Sequence, residues 1–251
     1  IRGSDPRAAD TDAASKTSTG EIVPQPGASD PLCACAVDAD SPPRLPCCDA
    51  WPNTRNTISA ADATNAMKFH SGWIYTNSYG AVPRVDFAVT PLLMLPKTVA
   101  AYDAFGMTRD DVLQDDAEAL LPGAGFTLSD YDHVLYRFDG LNVPYGGIAV
   151  RPGKWLRLRY NGQYLIDHEA GHNYGLPHAN LWLADNASVY GTGDNREYGN
   201  PFDVMGGGDS ERNAFYCLYN KAMLGWMPPE KLLKVTTNGT YRLHAHDART
   251  N

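Results

Sequence analysis

The sequence predicts an α+β fold, and three observations carry that expectation. Helical stretches with recognisable start and stop signals alternate irregularly with short runs of alternating apolar residues, which proline or glycine interrupts. A further stretch, HEAGHNYGLPH at 168–178, has a histidine spacing that works only with a helix at its start and a turn at its end. The last run, Val235 to His244, alternates like a strand of another layer.

The elements follow in chain order. Residues 1–56 are rich in Ala, Asp, Ser, Thr and Pro, with almost no large apolar residue before Trp51, so a flexible segment is expected, ordered mainly near its cysteines. Ser59 reads as the N-cap of a helix running towards Phe69, with Asp62 completing an imperfect capping box. Val85 to Val89 alternates as a strand ending before Pro91. Thr108 caps a helix with an apolar stripe of Val112, Leu113, Leu120 and Leu121, stopped by Pro122-Gly123. Asp132 to Phe138 is expected to be a buried strand.

Ile148 to Val150 and Trp155 to Tyr160 flank a turn signal at Arg151 to Lys154. The second run alternates apolar and basic residues, so one face is expected to pack and the other to meet water. Arg151, Lys154, Arg157 and Arg159 form a local basic patch, read as a solvated face in preference to an attractor for acidic substrate. Residues 179–203 show no periodicity and read as one long loop. Its Asp194, Asn195, Glu197 and Asp203 carry oxygens that could hold Ca2+, but without the spacing of a known calcium loop, and a chance acidic loop is favoured. Asn213 to Met227 reads as a helix carrying Phe215, Leu218, Tyr219, Ala222 and Met223.

The histidine run holds the chemistry. On a helix His168 and His172 lie four positions apart, so both imidazoles leave the same face at a separation one zinc ion can bridge. Glu169 is rotated about 100° from His168 around the helix, near enough to hold a water without being a ligand. Gly175 can take positive φ, ending the helix so that His178 closes the site from the other side. Three protein ligands leave one position open, the arrangement of a catalytic zinc site. Three of only seven histidines are used, which weighs against a chance match.

Composition sets the surroundings. The 251 residues suffice for one large domain or one domain of two lobes. A net charge of -8 argues against nucleic acid as the main partner, and no apolar stretch is long enough to span a membrane. The first residues lack signal-peptide features. Two sequons, at Asn186 and Asn238, are compatible with an extracellular route. Of five cysteines, four crowd together as Cys33, Cys35, Cys47 and Cys48. Bridges of the adjacent pair to Cys33 and Cys35 are the simplest reading; a four-thiolate zinc cluster and a thiolate blocking the histidine site are the alternatives. Cys217 is left over.

HExxHxxGxxH followed by a methionine in a tight turn, here Asp203-Val204-Met205-Gly206-Gly207, resembles the signature of the metzincin zinc endopeptidases. Thr76 to Gly80, Asp203 to Gly206 and Asn220 to Trp226 look most like the gametolysin-type branch. The resemblance implies a two-lobed catalytic domain at 57–228 with a mixed twisted sheet, a zinc helix and a methionine turn. Residues 1–56 would then be a pro-segment or tag remnant, and 229–251 the start of a C-terminal β region. It implies His168, His172 and His178 as Zn2+ ligands, Glu169 as the base that activates a zinc-held water, and Met205 and Gly175 as supports.

The resemblance further implies a secreted, monomeric endopeptidase whose peptide substrate pairs with an edge strand just before the zinc helix. A second oxyanion donor is expected among Tyr190, Tyr198 and Tyr216. The chain also departs from the family. Ala179 follows the third histidine, unlike adamalysins and matrix metalloproteases. Gly207 stands where astacins and serralysins carry a tyrosine, and no first strand precedes the Ala60 helix. A latent zymogen and a zinc-containing adhesion module are the rival readings.

Overall fold

Capping chemistry sets the first long helix of the structure, a computed structural model that describes residues 9–11, 31–34, 59–103, 111–138, 140–159, 162–186, 191–210 and 214–242. Helix α1 spans Ala60–Asn77, and its capping box is complete: the Ser59 hydroxyl accepts from the Asp62 N–H at 3.1 Å, and the Asp62 carboxylate accepts from the Ser59 N–H at 3.2 Å. The helix runs two turns past Phe69 because no proline interrupts the chain before Pro83. It ends where Tyr79 and Gly80 take positive φ.

The architecture is mixed α+β. Short strands β1 (Ala9–Thr11) and β2 (Pro31–Ala34) precede α1; β3 (Leu93–Thr98), α2 (Val99–Asp103) and α3 (Asp111–Leu120) follow it. Then come β4 (Val134–Arg137), β5 (Gly147–Val150), β6 (Trp155–Leu158), helix α4 (Gln163–Asn173), the hairpin β7 (Leu181–Ala184) with β8 (Gly193–Arg196), and α5 (Leu218–Met223). The main sheet has the order β1-β5-β6-β4; β6 runs parallel to β4 and antiparallel to β5, and β1 adds antiparallel to β5. β2 and β3 form a separate antiparallel pair.

The pleat divides the sheet between two apolar layers. Ile148 joins Leu113, Ala117, Tyr136 and Phe138 on the face covered by α2 and α3. Ala149, Leu156 and Leu158 join Leu165, Ile166 and Ala170 of α4 on the other. A third cluster, of Trp73, Ile74, Leu176, Val204, Met205 and Tyr216, ties α1 to the segment after α4.

Several expectations are corrected. Val85 to Val89 forms no ladder, and the strand of that region lies later, at β3. β6 is neither an edge nor half-solvated: Arg157 pairs with Ile148, on the face α3 covers, and is buried with its guanidinium 4.1 Å over the Trp155 ring. The supposed loop after His178 contains the β7–β8 hairpin. The helix expected over 213–227 is only the six residues of α5, since Phe215 bridges to Asp203 instead. No strand forms between residues 232 and 242. Thr108, Tyr190, Asn213, Cys35, Cys47 and Cys48 lie outside the described residues, as do the side chain of Cys33 and most of 1–56.

Candidate metal centre

Helix α4 is an internal helix, with every residue except Tyr164 buried. His168 and His172 leave one face of it, with ring centroids 4.9 Å apart. The chain turns at Gly175, whose φ is +104°, a conformation open to glycine at little cost. That turn returns His178 to a ring-centroid distance of 4.8 Å from His172 and 5.4 Å from His168.

Each ring has its outer nitrogen tied. His168 Nδ1 donates to the Val204 carbonyl at 2.7 Å, His172 Nδ1 to the Leu176 carbonyl at 2.8 Å, and His178 Nδ1 to the Glu197 carboxylate at 2.9 Å. A carbonyl can only accept, so the proton sits on Nδ1 and the lone pair on Nε2. His172 Nε2 and His178 Nε2 lie 3.1 Å apart. One ring nitrogen from each of the three histidines falls within 4.8 Å of the others, and among the described residues this trio is the group close enough to share one ion. Burial, reinforced by the neighbouring His168, pushes the His172 imidazole down to about 3, which keeps it neutral and able to ligate. The donor set therefore fits a zinc ion: three imidazoles whose ring nitrogens converge, each held in orientation by a hydrogen bond at its far nitrogen.

Glu169 is fully buried beside this trio. A Cβ placed on Gly147, the first residue of β5, would lie 2.5 Å from Glu169 Oε1. The carboxylate and the β5 backbone touch because that position has no side chain. Met205 is fully buried against α4, and a Cβ on Gly171 would lie 2.3 Å from its sulfur. Gly171, inside the motif, is what lets the methionine lie against α4.

The turn holding Met205 is organised by Asp203. Its buried carboxylate accepts from the Met205 N–H at 2.7 Å, the Cys217 N–H at 2.6 Å and the Asn220 amide at 2.8 Å. Those bonds use the oxygens that suggested calcium. Asp194, Asn195 and Glu197 instead stand exposed on and just after β8. Cys217 is a free thiol, pushed up to about 11 by burial and by the Asp203 carboxylate.

The tyrosine candidates separate. Tyr216 is buried and donates to the Asp167 carbonyl at 2.6 Å, bonded to the main chain of α4. Tyr198 lies against the histidines, its ring centroid 4.0 Å from that of His178. Sequence reasoning missed Gly147, Gly171, the structural use of Asp203, and the buried pair His70–Asp167, which joins α1 to α4 at 2.6 Å. For Asp203 a signal existed, since Asp two residues before a backbone N–H in a glycine-rich turn is an Asx-turn pattern. The others depend on long-range approach.

No family model matches the chain, and no curated protein or solved structure matches it.

Proposed function

We propose that the chain is a secreted zinc-dependent endopeptidase of the metzincin type, closest to the gametolysin-type enzymes, that cleaves extended segments of extracellular proteins. The observation that carries the reading is the convergence of His168, His172 and His178 beside a buried Glu169, with Met205 packed against Gly171 of the same helix. A zinc ion held there would supply Lewis-acid polarisation of a carbonyl and acidify a water towards neutral pH. Glu169 takes the proton of the attacking water and passes it to the leaving amine. The close approach of Gly147 to Glu169 puts the start of β5 at the reacting centre, so a peptide hydrogen-bonded along β5 would present its main chain there. Main-chain pairing would give affinity without demanding one side chain.

The test is zinc content together with hydrolysis of casein or gelatin, with and without chelator. Glu169→Ala is expected to keep zinc and lose cleavage by about 100-fold or more. Full cleavage by that variant, or cleavage indifferent to chelator, would sink the proposal. Zinc bound without any cleavage, by the full chain and by a chain shortened to begin at Ala13, would favour the adhesion module instead.

One observation favours a latent form of the same enzyme. The outer edge of β5 is paired with Ala9–Thr11 of the same chain, Thr11 opposite Ile148. In that state the edge on which a peptide would lie is taken.

A further inference from the structure

The three histidines are not held alike. His168 and His172 lie in the core, each bonded through Nδ1 to a main-chain carbonyl that the fold fixes. His178 is bonded through Nδ1 to a side chain, Glu197, which is itself 64% exposed. Glu197 and Tyr198 follow β8 directly, so the hairpin inserted after His178 carries the groups that return to hold it. The Tyr198 ring lies tilted over His178, with centroids 4.0 Å apart, and 6.0 Å from His168. Tyr198 also has φ +56°, a left-handed backbone that an aromatic side chain rarely adopts. Strain of this kind persists only where the surroundings enforce it. Here the Asn180 side chain accepts the Tyr198 N–H at 3.2 Å, and Gly199 bonds back to the Arg196 carbonyl at 3.1 Å.

We propose that Glu197 and Tyr198 are positioning residues for the third metal ligand: the carboxylate fixes the tautomer of His178, and the phenol ring fixes the plane of its imidazole. The inference rests on the zinc reading of the histidine trio. On this account the β7–β8 hairpin is a clip that makes the third ligand competent, and metal affinity depends on it more than the fold does. A partner bonded to the far nitrogen of a ligating histidine typically changes metal affinity 10–100-fold. Because Glu197 is exposed and Tyr198 strained, removing either should cost the metal-free protein little stability.

The experiment measures zinc affinity by competition with a chromophoric chelator on the full chain, alongside the Tm of the metal-free protein and the visible spectrum of the cobalt-loaded form. Glu197→Gln is expected to weaken zinc binding about tenfold or more, with the metal-free Tm unchanged and the cobalt spectrum altered. Tyr198→Phe, which keeps the ring, should bind zinc within about twofold of the native chain. Tyr198→Gly removes the ring and relieves the backbone; it should weaken zinc binding about tenfold without lowering the metal-free Tm. Native zinc affinity in both Glu197→Gln and Tyr198→Gly would overturn the proposal, as would losses matched by an equal fall in metal-free Tm. If the native chain and a chain shortened to begin at Ala13 both bind zinc but cleave no protein, the peptidase reading fails while this inference stands. A native chain that binds no zinc overturns both.

Discussion

At the scale of single residues the candidate site depends on atoms that are missing as much as on those present. Gly147 and Gly171 each stand where a methyl group would enter a neighbour: the Glu169 carboxylate in one case, the Met205 sulfur in the other. Gly147→Ala should therefore displace Glu169 while leaving the three imidazoles alone. A misplacement on the order of 1 Å costs about 100-fold in rate, so kcat should fall about that far with zinc affinity unchanged. Parallel zinc titration and peptide hydrolysis would check it, and unchanged kcat would show that the carboxylate has room to move aside. At this scale the sequence was most informative: the convergence of the three histidines, the adjacent acid and the turning glycine all follow from local spacing in 168–178. Gly147 was invisible because its partner lies 22 positions away.

At the scale of elements, local periodicity and tertiary position diverge. Ser59 and Asp62 announce the start of α1 because a capping box is a contact of four consecutive residues. The alternation at 155–160 suggested a half-solvated strand, yet β6 is flanked on both sides and Arg157 is covered. Which strands flank it depends on β4 and β5, which no local pattern reveals. Likewise the β7–β8 hairpin is written in Leu181 to Ala184 and Gly193 to Arg196, strands too short and too exposed to show a period. The pairing of β1 with β5 has a kinetic signature. If β5 is the peptide-binding edge, residues 9–11 compete with substrate as a tethered ligand, at an effective concentration on the order of millimolar. A shortened chain beginning at Ala13 should then show a KM for an extended peptide lower by about tenfold, with kcat and zinc affinity unchanged. An unchanged KM would mean that peptides bind elsewhere.

At the scale of the whole molecule, the candidate metal centre is also a point where separate layers are joined. α4 supplies two of the three histidines and packs on the sheet through Leu165, Ile166 and Ala170. The segment after Gly175 supplies the third histidine, and the turn holding Met205 is tied by Asp203 to Cys217 and Asn220. α1 is fastened to α4 behind the site by the buried pair His70–Asp167. An ion bound by this arrangement and not by the unfolded chain stabilises the fold by mass action, about 2.7 kcal/mol at a hundredfold excess over Kd. For a chain of this size that corresponds to a rise in Tm of about 5–10 °C, reversed by chelator.

Acid should act in the opposite direction on the metal-free protein. His172, pushed down to about 3, and His133, held below the ordinary histidine value by burial, both take up fewer protons folded than unfolded. Their stabilising effect is complete above the unfolded histidine value near 6.5 and is lost as pH falls towards the folded values. The slope should approach about 1.4 kcal/mol per pH unit from His172, with less from His133, which solvent reaches. Differential scanning calorimetry of the chelator-treated chain between pH 7 and pH 4 should thus show a falling Tm. Zinc added at pH 7 should raise Tm, and the increment should shrink with acid as protons compete for the same imidazoles. A Tm indifferent to saturating zinc at pH 7 would mean that the trio does not close on an ion, and the peptidase reading would fall with it.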